Sequence, residues 1–204
     1  MIRSRIFSLC LVALTAPAPA YAANPGDPTW PCVQRKVETL SPGLMWPHPI
    51  NEAPLREAIA ADAADLAAKL EQRRVDLDEA KTLIAQFVTE HPDVTQAEMG
   101  QMFLHIFDRI NRDRRALIAG IGKYAQKQIA LSDRIDEARI SMNDLTAATP
   151  PDRDAINSLQ QQIAWDERVF QDRSRSLTYV CETPVLLEQR LYAIAQLLLS
   201  EVPQ

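Results

Sequence analysis

The chain has 204 residues, a formal net charge of −5, 47% hydrophobic residues and only 5 glycines. That length allows one folded domain or at most two. An acidic chain without a basic block is a poor match to nucleic acid or an anionic lipid surface, and so little glycine leaves no phosphate-cradling loop.

The first 22 residues have the layout of a secretory signal peptide. Arg3 and Arg5 form a short basic region, an apolar run follows from Ile6 to Leu14, and small residues end in Ala20-Tyr21-Ala22, an A-x-A cleavage site before Ala23. The apolar run is far below the roughly 20 helical residues that cross a bilayer. Cleavage would leave 182 residues (204 less 22), without a membrane span, and remove two arginines, taking the charge from −5 to −7. Cys10 would leave with the signal, because Leu9 stands where lipid attachment wants a small residue. The absence of an Asn-x-Ser/Thr sequon favours a bacterial periplasm over a glycosylating pathway. In that oxidising compartment Cys32 and Cys181 are expected to pair.

Residues 23–50 hold Pro25, Pro28, Pro31, Pro42, Pro47 and Pro49, which remove amide donors and favour extended backbone. Trp30, Val33, Val37, Leu40, Leu44, Met45 and Trp46 lie among them, more apolar surface than a disordered tail carries. This predicts an extended arm that lies on a folded body and buries both tryptophans.

From residue 51 the pattern is helical. A first helix is expected over 52–73, capped by Asn51, with Leu55, Ile59, Ala63, Leu66 and Leu70 on one stripe. Asp76 and Glu79 form a capping-box variant that opens a short helix burying Leu83, Ile84, Phe87 and Val88, which ends at His91-Pro92. Thr95 and Glu98 make a full capping box. From Met99 to Leu145 apolar residues then recur every three or four positions, with Asp113 and Gln128 in the two polar gaps. That is a heptad-like seam over about 50 residues, or roughly 75 Å of helix. Thr149-Pro150-Pro151-Asp152 should break it and start the next helix with Thr149 as cap. The partner seam runs Ile156, Leu159, Ile163, Asp166, Phe170, Arg173, Leu177, Val180, and a second break is expected at Thr183-Pro184 before Leu187, Leu191, Ile194 and Leu198.

The fold class is therefore all-α: a helical bundle with a long antiparallel coiled-coil hairpin and an extended proline-rich arm stapled by one disulfide. Residues 51–204 form one domain, with a four-helix base at about 52–118 and 184–201 and a coiled-coil stalk at about 122–180. Cys181 and Pro184 should lie opposite residues 114–117, near Gly120 and Gly122, at a junction.

No nucleophile–base pair, phosphate loop or haem-attachment string is present, so no catalytic residue, no enzymatic activity and no cofactor are assigned. His91 ends a helix, where its charge suits the dipole. Met99, Met102 and His105, with His48 in the arm, carry the soft thioether and imidazole donors that suit Cu(I). Positions 99 and 105 nevertheless differ by about 120° on the wheel. A periplasmic copper or small-ligand binder is the alternative function on this cluster. Arg109, Arg112, Arg114 and Arg115 form the one basic concentration and, with Thr149 and Asp152 at the tip, a candidate partner surface. In shape the hairpin is similar to periplasmic helical-hairpin chaperones. The Leu-Thr-x-x-Gln repeats of one such group are absent, since Leu145-Thr146 is followed by Ala147-Ala148-Thr149. The expected function is a non-enzymatic interaction or chaperone-like envelope factor whose partner is another envelope protein, and the amphipathic hairpin also admits a homo-oligomer.

Overall fold

A computed structural model describes residues 26–50 and 53–201. The expected signal segment, Cys10 and the expected cap Asn51 lie outside the described residues. The described residues hold four α-helices: α1 (Glu57–Leu70), α2 (Leu77–Glu90), α3 (Gln96–Ala147) and α4 (Arg153–Ser200), preceded by an arm with one 3-10 turn at Pro42–Leu44. None of these helices is long and apolar enough to cross a membrane.

Side-chain caps start α2, α3 and α4. The Asp76 carboxylate accepts from the Glu79 amide at 2.8 Å and starts α2. At α3 the Glu98 amide donates to Thr95 Oγ1 at 3.3 Å while Glu98 Oε2 accepts from the Thr95 amide at 2.8 Å, so the predicted capping box is complete. Three expectations are corrected. Helix α1 begins at Glu57 rather than 52 and ends at Leu70 rather than 73. Pro54 disfavours helical backbone at Ala53, and Arg56 is still extended at ψ 138°. Asp152, not Thr149, caps α4, accepting from the Asp154 and Ala155 amides at 3.1 and 3.0 Å; Pro150 and Pro151 delay the helix until an acceptor is in place.

The third difference is larger. The expected break at Thr183-Pro184 does not occur, and α4 runs through Pro184 as one helix of 48 residues. An interior proline costs about 3 kcal/mol in an isolated helix. Here both flanks are held, by the Cys181 disulfide on one side and by buried Leu187 and Leu191 on the other.

Helix α3 is 52 residues long, about 78 Å, and pairs with α4 in antiparallel fashion. The register is visible in the side-chain bonds between them. Arg114 Nε donates to the Pro184 carbonyl at 3.3 Å, Gln128 Nε2 to the Phe170 carbonyl at 3.1 Å, and Arg134 to Asp166 at 3.0 and 2.6 Å. Near its start α3 also packs on α1, and α2 packs on α1 and α4. The main core fills this four-helix base, with Ile59, Leu70, Ile84, Met99, Phe103, Ile106, Leu191, Ile194 and Leu198 fully buried.

The arm belongs to that core. Trp46 is 2% exposed and stacks on Phe103 with ring centroids 5.4 Å apart and planes 15° apart. Gly100 makes the contact feasible: a Cβ there would lie 3.0 Å from Trp46 Nε1. Trp30 is half-buried, donating from Nε1 to the Gln34 carbonyl at 2.6 Å beside a small cluster of Cys32, Cys181 and Ile121.

Candidate interaction surfaces

A disulfide and a buried arginine hold the junction. Cys32 and Cys181 form the expected disulfide, with Cα atoms 5.5 Å apart and a sequence separation of 149. One turn toward the base, Arg114 is 3% exposed, and besides Pro184 it donates from Nη1 to the Val37 carbonyl at 2.6 Å. Burial pushes its pKa down from the ordinary arginine value, and Glu188 at 3.5 Å opposes that shift. One guanidinium thus ties the arm, α3 and α4 together between two apolar clusters. The expected polar gap at Asp113 is corrected accordingly: Asp113 is exposed and Arg114 turns inward.

The basic concentration does not form one surface. Arg114 is buried, Arg109 pairs with Glu71 at the end of α1 at 3.0 Å, and Arg112 and Arg115 remain exposed without an ion pair among the described residues. Arg115 joins Lys36 and Lys123 around a groove of about 460 Å³ between the arm and α3, where Lys36 is held by Asp27 and Glu38 at 3.4 and 3.3 Å.

The methionine–histidine cluster separates as well. Met99 and Met102 are fully buried in the base core, whereas His105 and His48 are exposed. The helical wheel explains the divergence: 99 and 102 share the core face, and 105 turns out of it. No group of three or more His, Cys, Asp or Glu side chains that could hold a metal occurs among the described residues. His91 lies at the end of α2, as expected, with Nε2 2.9 Å from an Asp62 carboxylate oxygen.

At the far end, α3 and α4 meet in an exposed tip. Thr149 is solvent-facing and joined to Pro150 by a cis peptide bond, and the carboxylate of Asp152 is committed to the α4 cap. The stalk interior is partly polar. Asp166 is buried and accepts both bonds from Arg134, and Gln128 also donates to Ser174 Oγ at 3.2 Å. Apolar seam positions Ile121, Leu131, Ile135 and Ala138 fill the space between.

One surface was not singled out in the sequence pattern. Trp165, Tyr179 and Leu186 on α4 are 65%, 74% and 46% exposed. Together with Asp172 they recur every seven residues, each one place before a seam position. The same periodicity that marks the seam marks this second line, and it was legible one step to the side. A separate groove of about 470 Å³ lies where the arm meets α4, lined by Leu40, Leu44, Met45, Val185 and Tyr192.

Comparison with family models, with curated proteins and with solved structures yields no match to this chain. The fold and its surfaces therefore carry the functional reading.

Proposed function

We propose that the protein is a non-enzymatic, chaperone-like interaction factor of the periplasm, exported through a cleavable signal peptide, whose stalk engages another envelope protein. The observation that carries this reading is the division of the molecule into a packed base and a long two-helix stalk. The main core ends near Ile110 and Leu187, yet the paired helices continue to Ala147 and Arg153. The tip residues add no apolar surface to that core, so a role in reaching a partner accounts for a length that folding does not require. The Cys32–Cys181 bond supports an oxidising compartment.

The test is a symmetric shortening of the stalk by one heptad from each helix beside the tip, removing residues 140–146 and 153–159. The seam register is kept, so the shortened chain should remain helical with a similar unfolding midpoint. Cross-linking in envelope extract should recover one defined protein with the intact chain and lose it with the shortened one. Equal recovery by both chains would place recognition elsewhere, and collapse of the fold would make the hairpin part of the core.

A further inference from the structure

We propose that the exposed line Trp165, Asp172, Tyr179 and Leu186 is the contact surface of a homodimer, in which two copies of α4 lie antiparallel across a two-fold axis near Arg175 and Ser176. This is independent of the tip's role, because the line runs along α4 from Trp165 in the stalk to Leu186 beside the base, away from Thr149 and Asp152. In a left-handed helix pair, a seven-residue repeat keeps one fixed position around its helix, so these four side chains form a straight ridge about 31 Å long. Trp165, Tyr179 and Leu186 are aromatic or apolar, and each is more exposed than the seam residue that follows it, Asp166 at 5%, Val180 at 40% and Leu187 at 6%.

What selects a second copy is that the ridge complements itself. Turned antiparallel about the proposed axis, Trp165 faces the partner's Leu186, and Asp172 faces the partner's Tyr179, whose phenol can donate to the carboxylate. In the flanking row, Arg168 meets the partner's Glu182. Both are exposed, and neither makes an ion pair among the described residues. On the other flank Val169 meets the partner's Thr183, and the small Ser176 sits beside the axis where the helices approach most closely. Arg175 also lies near the axis, but it is already paired with Asp172 of its own chain, which blunts its repulsion with its symmetry mate. Each contact occurs twice, as an isologous interface requires. A parallel arrangement would instead set Arg168 on Arg168 and Glu182 on Glu182, so the charges choose the direction.

Four aromatic side chains that can cover on the order of 150–250 Å² each place this contact at the low end of specific interfaces. The dimer should therefore be read at protein concentrations up to about 100 µM. The test is sedimentation equilibrium of the disulfide-bonded chain beside three charge-exchange variants, with two cysteine variants read for a disulfide-linked dimer. Wild type should fit a monomer–dimer equilibrium. Arg168→Glu and Glu182→Arg should each weaken it at least tenfold with unchanged circular dichroism, and the double exchange should restore it. Ser176→Cys should form a disulfide-linked dimer, while Lys127→Cys on α3 should not. A wild-type chain that stays monomeric would overturn the proposal. So would a dimer indifferent to the charge exchanges, or a ridge protected only by a different protein.

Discussion

Two glycines on the same helix should respond in opposite directions to the same substitution. Gly100 and Gly120 both lie inside α3, where glycine costs about 1 kcal/mol relative to alanine. A Cβ at Gly120 meets nothing within 4 Å, so Gly120→Ala should stabilise by about the full 1 kcal/mol. A Cβ at Gly100 would lie 3.0 Å from Trp46 Nε1 and 3.3 Å from Cε2. The indole cannot retreat, because it is buried and stacked on Phe103. Overpacking of this kind costs about 1–3 kcal/mol, which cancels or exceeds the propensity gain. Urea unfolding followed by far-ultraviolet circular dichroism should show a higher midpoint for Gly120→Ala and a lower one for Gly100→Ala. In a Trp46→Leu background the Gly100→Ala penalty should vanish, a coupling of about 1–3 kcal/mol in the double-mutant cycle. If Gly100→Ala stabilises as much as Gly120→Ala in the wild-type background, Trp46 does not lie over Gly100 and the arm is not part of the core.

Three further outcomes follow from the same contacts. Intact mass with and without reductant should show no free thiol in the oxidised chain, and replacing Cys32 by serine should cost up to roughly 5 kcal/mol in the loop-entropy model for so long a loop. Hydrogen bonds from Arg56 and Thr95 hold the Glu98 carboxyl below the usual carboxylate range. Its folded pKa is depressed, so its stabilisation is present above the ordinary glutamate value of about 4.3 and is lost as pH falls through the lower folded value. Glu98→Gln should flatten that acid limb of the stability curve, and an unchanged limb would discard the assignment. Within the stalk, Arg134→Met should cost about 3 kcal/mol because it strands buried Asp166, whereas Asp166→Asn should cost less because Arg134 reaches solvent. Equal losses in chemical denaturation would show that Asp166 is hydrated.

The elements that were legible in the sequence are those whose cause is local. The Asp76 and Thr95 caps depend on residues three apart, and the α3 and α4 seams on a repeat of three and four, so both can be read without a partner in view. The tip turn was legible because the adjacent Pro150 and Pro151 interrupt a long helical run. What escaped depended on distant contacts. Pro184 reads as a break until one sees that Cys181 is stapled to the arm and Arg114 reaches the Pro184 carbonyl. Arg190 was not singled out in the sequence, yet it donates to the Leu70 carbonyl at 2.7 Å and the Val75 carbonyl at 2.8 Å, closing the end of α1 from α4. Desolvation there pushes its pKa down. Among the candidate site residues, the cysteine pair was fixed by count and compartment, whereas the four clustered arginines were separated by one-residue differences in helical phase.

The claim that the stalk tip is the recognition element is tested most directly by photo-cross-linking in the cell envelope. A photoreactive residue in place of Thr149 samples the tip, and one in place of Thr82 samples the exposed face of α2 in the base. The proposed function predicts a discrete adduct with another envelope protein from position 149 and none from position 82. An adduct from position 82 alone, or no adduct from either, would contradict it.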